Sequence, residues 1–490
     1  MRFAKIGIAY AAGQVLTKLV SFLLIPVLTK ELGADGFGHL ALADTILDFM
    51  TVIVGINIYS GYLRFYREYP EKDRRCLWNT AFFFNVFTSA VSLLFIIFIG
   101  RYFAGFILPL SNAYNIMVLI VLRSIFQLLL TQVMCDYTLN YKIGSVVIVD
   151  VVCVLMNLTL AIYFVKVMKL GVAGVYLGYV ISYLLLFVVM SIVNIKRFRF
   201  EFDFGMLKNL FKFGGGLVPS NVAATVLTLS DRFFLNGLKS SFETGIYSMG
   251  YKFGMLIEPF YINPFKKFFT PYKFQIWKDA DAKEKFNKFF YQYNLIGCVM
   301  IIAIAVFSRS AILLLSTSEF ESAYKIVPLI LISYFIFGQS AFFSLGALIR
   351  NKTYLDSVVM IPGGVVNIII NLALIPKMGM YGSAVATIVS YLLMNFIYRY
   401  ISKKYFEIKY NYNKVIKIYV LTLVFYMVYF VSSLYTSSLL FDMGFASLTI
   451  LGFSACLYFF GFVQKTEIVG LVSGIPIINK FFSKSQKADI

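Results

Sequence analysis

The fold can be inferred from residues 213–263, which read FGGGLVPSNVAATVLTLSDRFFLNGLKSSFETGIYSMGYKFGMLIEPFYIN. The composition of this stretch predicts two apolar helices joined by a short polar turn. Each helix contains a proline, Pro219 in the first and Pro259 in the second. Helix-breaking prolines are tolerated in membrane-spanning helices where neighbouring groups or a cavity satisfy the freed backbone. The stretch therefore indicates a pair of interrupted membrane helices.

The same stretch carries four ionisable side chains where spanning helices should meet hydrocarbon. Asp231 and Arg232 stand at the end of the first predicted helix, and Lys252 and Glu258 interrupt the second. Charged groups at membrane depth are energetically costly, so they usually face a bundle interior or a water-filled cavity. These positions are therefore candidate functional residues.

The composition of the whole chain is that of a polytopic membrane protein. Of its 490 residues, 60% are hydrophobic and only 14% are charged, and the mean hydropathy is +0.80. A chain of this composition is expected in a bilayer. The usual expectation of one domain per 100–200 residues holds for soluble proteins and does not apply to it. We expect an all-α integral membrane protein.

Cysteine and histidine usage argues against metal, disulfide or triad chemistry. The five cysteines have no metal-ligand spacing, and His39 is the single histidine. No G-x-x-x-x-G-K-[ST] phosphate loop occurs, and no polar segment is long enough for a catalytic domain. We therefore expect no cofactor, no metal and no enzymatic activity.

Apolar runs of about 20 residues, the length that crosses a bilayer core, recur along the chain. We predict about fourteen spans, or twelve if the last two are discounted. They lie at 5–28, 38–61, 79–100, 114–135, 144–165, 171–194, 213–235, 244–264, 289–308, 324–348, 356–375, 381–401, 418–436 and 443–463.

The basic residues predict the orientation. The net charge of +20 is spread over loops instead of forming one patch, which argues against nucleic acid as a partner and indicates loops beside anionic lipid. With the N-terminus inside, roughly 32 of the 44 Lys and Arg residues fall on the inner side and about 8 on the outer side. We expect both termini on the inner, cytoplasmic side of the membrane.

An internal repeat organises the predicted spans. Gly171, Gly174, Ser182 and Tyr183 recur about 208 residues later, as Gly379, Gly382, Ser390 and Tyr391. A weaker echo pairs 34–38 with 241–245. Repeats of this kind are typical of transporters, whose substrate sites lie between the repeated units.

The repeat predicts two similar six-helix bundles followed by two extra helices. The predicted domains are a first bundle at 1–195, a basic cytoplasmic connector at 196–212, a second bundle at 213–401, two further helices at 402–464 and a cytoplasmic tail at 465–490.

Polar residues within the paired spans 1, 2, 7 and 8 are the candidate site. Lys18, Arg232 and Lys252, with Gln14, Ser220 and Asn221, would offer a cationic and polar surface to an anionic group. Asp44, Asp48, Asp231 and Glu258 would form ion pairs or bind a coupling H⁺ or Na⁺. The alternative is an interhelical ion-pair cluster without a ligand.

Several segments resemble the polysaccharide flippases of the multidrug/oligosaccharidyl-lipid/polysaccharide exporter superfamily. The resemblance rests on LVPS at 217–220, SDRFF at 230–234 and TGIYS at 244–248, followed by Tyr251 and Lys252. The segment NIIINLALIPKMGMYGSAVATIVSY at 367–391 is similar to the eleventh and twelfth spans of that family, and LTKELGADGFGHL at 28–40 to its first outer loop.

The resemblance implies a MATE-like arrangement of the two bundles. It also implies a flippase in a bacterial inner membrane, which moves undecaprenyl-diphosphate-linked oligosaccharide from the cytoplasmic to the periplasmic leaflet. The product would serve O-antigen and lipopolysaccharide, capsule or exopolysaccharide synthesis, with a polysaccharide polymerase and a chain-length regulator as partners. Lys18, Arg232 and Lys252 would then attract the diphosphate, while the transporter alternates in access.

Two alternatives stay open. A multidrug or cation antiporter of the same superfamily would favour an acidic, aromatic cavity. A membrane polysaccharide polymerase or ligase would favour a long outer loop, which this sequence lacks. The sequence leaves undetermined the sugar, the coupling ion and the oligomeric state.

Overall fold

The computed structural model describes residue 13 and residues 16–349, 355–436 and 438–463. Across these ranges every regular element is helical and no β-strand occurs, so the predicted all-α fold is confirmed. The helices are α1 (Ile25–Gly55), α2 (Ile58–Phe65), α3 (Arg74–Ile107), α4 (Ala113–Leu139), α5 (Ile143–Ile162), α6 (Gly171–Val193), α7 (Phe204–Leu229), α8 (Asp231–Leu238), α9 (Ser241–Gly254), α10 (Asn263–Ile276), α11 (Ala282–Leu315), α12 (Val327–Phe343), α13 (Leu345–Ile349), α14 (Leu355–Met378), α15 (Met380–Lys403), α16 (Tyr412–Tyr435) and α17 (Leu439–Phe459).

The protein is a multi-pass membrane protein by the length and apolarity of these helices. Ten described helices could cross a bilayer, and there are up to eleven if the pair Ser318–Lys325 and Val327–Phe343, bent by 44°, is one broken span. Of the remaining predicted spans, 5–28 lies partly outside the described residues. The segment 213–235 falls in α7 and α8, and 244–264 begins in α9, which has only 14 residues.

The two helices of the 213–263 stretch accommodate their prolines differently. Helix α7 continues through Pro219 and ends at Leu229, after which Asp231 begins the short helix α8. Helix α9 ends at Gly254, and a π-helical turn at Glu258–Ile262, which contains the second proline, leads into α10. The predicted interruption therefore occurs at Pro259, where a π-turn breaks the regular hydrogen-bond ladder, whereas the helix is not interrupted at Pro219.

The first part of the chain differs from the predicted pattern of two spans and an outer loop. Helix α1 runs from Ile25 to Gly55 through the whole segment 28–40, with one non-helical residue, Gly33, at φ 64°. A glycine can take this left-handed conformation without a steric penalty, so the chain bends at one residue instead of forming a loop. The next break comes at Ile56 and Asn57, which both have positive φ and separate α1 from α2.

The repeated glycines have equivalent structural roles in the two halves. Gly171 and Gly379, at the start of α6 and α15, have φ values of 56° and 54°. One helical turn later, Gly174 and Gly382 pack against the preceding helical segment, where an added Cβ would lie 3.1 Å and 2.7 Å from a backbone carbonyl carbon. The repeat therefore specifies the same tight helical hairpin twice.

The weaker echo of the repeat marks a contact between α1 and α9. A Cβ added to Gly38 would lie 2.0 Å from the carbonyl oxygen of Ser241, and one added to Gly245 would lie 2.0 Å from that of Ala34. Ala34 and Ser241 are themselves equivalent in the repeat, so the contact is reciprocal. The Ser241 Oγ atom also lies 3.0 Å from Nε2 of His39. Only glycines permit this backbone separation.

The chain forms two compact units. The first comprises Met1–Phe268 and Ala311–Phe406, and the second comprises Phe269–Ser310 and Glu407–Ile490. The first unit contains most of the helices of both predicted six-helix bundles. The division into a bundle at 1–195 and a bundle at 213–401 stays a prediction.

The second unit is built around a buried ion pair. Arg309 of α11 lies 3.4 Å from the Asp442 carboxylate of α17, and both side chains are almost fully buried. Tyr429 donates to Asp442 at 3.0 Å, and Ser310 donates to the other carboxylate oxygen. Removing one member of such a pair leaves an uncompensated buried charge, so this cluster holds the last two helices to α11.

Candidate functional site

A cavity of about 520 Å³ in the first unit brings together most of the predicted charged residues. Its size is within the range of about 300–1,000 Å³ that is typical of ligand pockets. Six charged side chains line it: Lys18, Asp44, Asp48, Arg232, Lys252 and Glu258. The cavity thus combines three basic and three acidic groups.

Three further predicted site residues do not line this cavity, and a fourth, Gln14, lies outside the described residues. Asp231 is buried beside Arg232. Ser220 and Asn221 lie more than two turns before the end of α7. The Ser220 hydroxyl donates to the carbonyl of Leu217, and the Asn221 amide donates to the Asn57 side chain at 3.0 Å. Both side chains are therefore engaged in helix contacts, and their role in substrate binding stays a prediction.

Arg232 is held rigidly at the cavity wall. Its Nη1 atom lies 3.2 Å from Oδ1 of Asp231 and 3.3 Å from the carbonyl oxygen of Thr228. Its guanidinium carbon lies 4.4 Å from the ring centroid of Tyr251, a cation–π geometry. Three partners on one side fix the orientation of a planar group that has five N–H donors in total.

The Asp231 carboxylate is itself anchored. Tyr247 and Ser383 both donate to Oδ2, Ser383 from 3.2 Å. With Arg232 on Oδ1, this carboxylate, 1% exposed, has a full set of partners from α8, α9 and α15. These partners hold the carboxylate in one orientation against the Arg232 guanidinium group.

Aromatic side chains form much of the remaining wall. Phe22, Tyr179, Tyr251, Tyr334, Phe337 and Tyr391 line the cavity. The Tyr251 and Tyr334 hydroxyls lie 2.8 Å apart, and Tyr251 also approaches the Thr228 carbonyl at 3.0 Å.

Two buried hydroxyls at the wall have no hydrogen-bond partner among the described residues. These are the hydroxyl of Tyr391 and Oγ of Ser248, on residues that are 1% and 2% exposed. Orphaned buried polar atoms are rare in proteins and commonly bond to water or a ligand. The wall can therefore offer hydrogen bonds to a polar occupant.

The two lysines of the cavity differ from Arg232 in having no carboxylate partner. Within the described part of the chain, neither Lys18 nor Lys252 has a carboxylate oxygen within 4.0 Å. Lys252 Nζ lies 5.3 Å from the ring centroid of Phe37, which offers weak cation–π attraction. Both ammonium groups are thus available to an anion that enters the cavity.

The acidic residues are also unequal. Asp44 accepts a hydrogen bond of 2.7 Å from the Tyr176 hydroxyl of α6, which fixes its carboxylate. Asp48 lies one turn further along α1, and Glu258 begins the π-turn after α9. Across the described residues, neither Asp48 nor Glu258 has a basic group within 4.0 Å. These two carboxylates are free to bind a cation or a proton.

The charged residues of this site were identifiable from the sequence, whereas their partners were not. No specific pattern in the sequence marks Tyr176, Tyr247, Ser383, Tyr334 or the hydroxyl of Tyr391 as parts of the site. The i, i+4 spacing of Tyr247 and Tyr251 and the place of Tyr391 in the repeat were the available signals. Apolar packing explains tyrosines in a membrane helix equally well, so those signals were not specific.

Comparisons with known proteins agree with this architecture. The sequence profile of the family described as polysaccharide biosynthesis protein matches residues 27–325, more than half of the chain. An uncharacterized membrane protein of Haemophilus influenzae is 23% identical over 295 residues, which cover 58% of this chain and 68% of that relative.

Solved structures show the fold. The lipid II flippase MurJ, in an inward closed conformation, superposes with a TM-score of 0.66 at 14% identity, over 92% of this chain and 99% of that one. An inward-facing multidrug resistance MATE family transporter of the MOP superfamily gives 0.62 at 10% identity, over 79% of this chain and 94% of that one. The fold is therefore that of the MOP-type transporters. Within that class, the chain belongs to the polysaccharide biosynthesis protein family.

Proposed function

We propose that this protein is a flippase that moves undecaprenyl-diphosphate-linked oligosaccharide units from the cytoplasmic to the periplasmic leaflet of a bacterial inner membrane. The observation that carries the proposal is the pair Lys18 and Lys252, which line a 520 Å³ cavity without a carboxylate partner. A diphosphate is the part of such a substrate that needs compensating positive charge at membrane depth.

Arg232 would complete the diphosphate site. Because Asp231, Thr228 and Tyr251 already fix its guanidinium group, little side-chain entropy is lost when its free N–H groups bind a phosphate oxygen. Arginine also matches phosphate geometry with paired donors, which a lysine cannot do. The two lysines would provide attraction and the arginine would provide orientation.

The free carboxylates suggest how transport is driven. Asp48 and Glu258 would bind H⁺ or Na⁺. Asp44 lies one turn from Asp48 and would respond to the charge of the ion bound there. Binding of a coupling ion reduces the negative charge of the cavity, so it favours entry of an anionic headgroup. The cycle would be one of alternating access, with both termini in the cytoplasm and a polysaccharide polymerase and chain-length regulator acting on the product.

The proposal is tested in host cells that lack this protein, by the leaflet position of accumulated lipid-linked oligosaccharide. We expect single repeat units trapped on the cytoplasmic leaflet, loss of surface polysaccharide, and rescue by the native protein. Units accessible from the periplasm would indicate a polymerase or ligase instead. Unchanged lipid-linked sugars with altered drug sensitivity would indicate an efflux transporter.

The double variant Lys18→Gln/Lys252→Gln tests the site itself. We expect it to insert at native levels but to reduce rescue at least tenfold, because the diphosphate loses both unpaired cations. The matched control is Lys30→Gln/Lys377→Gln, which removes two exposed lysines outside the cavity lining. Rescue by the cavity variant at the level of the control would contradict the assignment.

A further inference from the structure

A second, smaller pocket lies in the first unit, outside the proposed transport cavity. Its volume is about 230 Å³, and three arginines line it: Arg74, Arg75 and Arg197. Trp78 and Tyr66 add aromatic surface. The volume is below the range of about 300–1,000 Å³ of pockets for drug-sized ligands. A small anionic group is thus the kind of ligand that its size and charge fit.

Arg74 is anchored through part of its guanidinium group. Its Nε atom donates to the carbonyl oxygens of Tyr66 and Tyr69, at 3.0 Å and 3.3 Å, and its guanidinium carbon lies 4.8 Å from the Tyr66 ring centroid. Its only carboxylate contact within the described residues is with Glu71, at 3.6 Å, and the Glu71 side chain is 90% exposed. The terminal N–H groups of Arg74 are therefore fixed in place with only a weak partner.

The other two arginines are paired to different degrees. Arg75 contacts Glu201 at 3.2 Å in a partly exposed pair. Arg197 pairs with the buried carboxylate of Asp136, to which the Tyr62 hydroxyl also donates at 2.7 Å. Partly exposed ion pairs contribute only about 0–1 kcal/mol, so Arg75 can exchange Glu201 for a stronger anion. Arg197 is the structural member, because its loss would leave Asp136 uncompensated.

The side chains that line the pocket carry a net positive charge. Three guanidinium groups face the carboxylates of Glu71 and Asp136, while Glu201 contacts Arg75 from outside the lining. Paired N–H donors of arginine match a phosphate bidentately, and such charge-assisted bonds are about twice as strong as neutral ones. Under the proposed orientation, the residues before α3 and the connector that contains Arg197 both lie on the cytoplasmic side. Basic pockets at that level are suited to lipid headgroups.

The geometry points to a binding site for a lipid-borne phosphate in this pocket, with Arg74 and Arg75 as its ligands and Arg197 as a positioning residue. Two sources share this chemistry: an anionic phospholipid of the cytoplasmic leaflet, and the diphosphate of a polyprenyl carrier. The flippase proposal enters here only through the predicted orientation, which assigns the pocket to the cytoplasmic leaflet. The binding experiment measures the pocket alone, so a negative result there would leave the flippase proposal standing.

Trp78 provides a local reporter. The chain has two tryptophans, so Trp277→Phe leaves Trp78, in the pocket wall, as the only one. The full chain in a non-ionic detergent at low ionic strength is titrated with dihexanoyl phosphatidylglycerol, dihexanoyl phosphatidylcholine or farnesyl diphosphate. We expect a saturable change in Trp78 emission with phosphatidylglycerol or with farnesyl diphosphate. Phosphatidylcholine should bind at least tenfold more weakly, because its own ammonium group opposes the arginines.

Variants separate the pocket from general surface charge. Arg74→Gln/Arg75→Gln should weaken the preferred ligand at least tenfold, and Arg74→Lys should weaken it less, because lysine keeps the charge but not the paired donors. Arg64→Gln/Arg67→Gln removes two exposed arginines at the end of α2 and just after it, which do not line the pocket, and should leave binding unchanged. Thermal unfolding of each variant shows whether it is folded. If the double variant does not fold, Arg75→Gln alone is used in its place.

The outcomes are decisive in both directions. Tighter binding of phosphatidylglycerol assigns the site to membrane phospholipid, and tighter binding of farnesyl diphosphate assigns it to the polyprenyl carrier. Equal binding of phosphatidylcholine and phosphatidylglycerol without binding of farnesyl diphosphate would overturn the inference. So would equal affinities in the Arg74/Arg75 and Arg64/Arg67 variants, since the arginines would then form only a structural ion-pair network.

Discussion

Arg232 shows how the structure positions a charge at membrane depth. A guanidinium group alone in hydrocarbon would be unstable, but here Asp231 compensates its charge from behind and Tyr251 covers its face. Tyr247 and Ser383 in turn fix the carboxylate. Because these partners come from α8, α9 and α15, which all lie close to the cavity, the orientation of Arg232 depends on how those three helices are arranged.

Tyr247→Phe tests this arrangement at the residue level. The substitution removes one donor to the buried Asp231 carboxylate without changing the volume of the side chain. Because hydrogen bonds to charged groups contribute about 1.5–3 kcal/mol, we expect the free energy of unfolding in detergent to fall by about 2 kcal/mol. The measurement is denaturant unfolding followed by tryptophan emission.

The control for this variant is Tyr102→Phe, since the Tyr102 side chain is 88% exposed. It should unfold like the native protein, within about 0.5 kcal/mol. If both tyrosine variants unfolded at the same denaturant concentration, Asp231 would not depend on Tyr247.

At the level of elements, the contact of α1 with α9 is the most constrained crossing in the first unit. Gly38 and Gly245 bring the two backbones so close that an added methyl group would lie 2.0 Å from a carbonyl oxygen. Both helices also carry cavity residues, Asp44 and Asp48 on α1 and Lys252 on α9. Opening this crossing would therefore move the charged groups of the two helices apart.

Gly245→Ala should prevent the close approach. An added methyl group would lie 2.0 Å from the Ala34 carbonyl oxygen, so the two backbones must shift apart. Since overpacking of this kind typically costs about 1–3 kcal/mol, we expect the free energy of unfolding in detergent to fall by that amount. The measurement is denaturant unfolding followed by tryptophan emission.

Gly105→Ala is the matched control, because nothing lies within 4 Å of its added Cβ. Its free energy of unfolding should not fall below that of the parent. An undiminished free energy of unfolding in the Gly245→Ala protein would show that the two backbones can separate without cost.

At the level of the whole molecule, the distribution of basic residues predicts one orientation. Roughly three quarters of the Lys and Arg residues fall on one predicted side. In the structure, Lys30 lies on α1 before the bend at Gly33, whereas Lys212 lies in the first half of α7. The sequence places the former on the periplasmic side and the latter in the cytoplasm.

Single cysteines at these two positions test the orientation in a cysteine-free background. We expect a membrane-impermeant maleimide to label Lys30→Cys, but not Lys212→Cys, in cells whose outer membrane alone has been permeabilised. Both positions should react after the inner membrane is disrupted. The reverse pattern of labelling in intact cells would invert the proposed direction of transport.

The sequence by itself determined the class of the protein and the charged residues of its site. Apolar runs of bilayer length leave few structural options other than helices, because backbone groups in lipid must be satisfied within the segment. Charges such as Lys18, Asp48 and Lys252 are conspicuous against that background, so they could be identified before the structure. The repeated glycines likewise predicted equivalent positions in the two halves.

Only the tertiary structure decided which of these groups meet and which are engaged elsewhere. Spacing along one helix could not show that Asn221 bonds Asn57, or that Asp231 lies behind Arg232 with Tyr247 and Ser383 on its far side. The basic pocket likewise combines the start of α3 with a connector more than 100 residues away. Contacts between distant segments depend on how helices cross, and crossing is set by packing at positions such as Gly38 and Gly245, which a linear pattern does not specify.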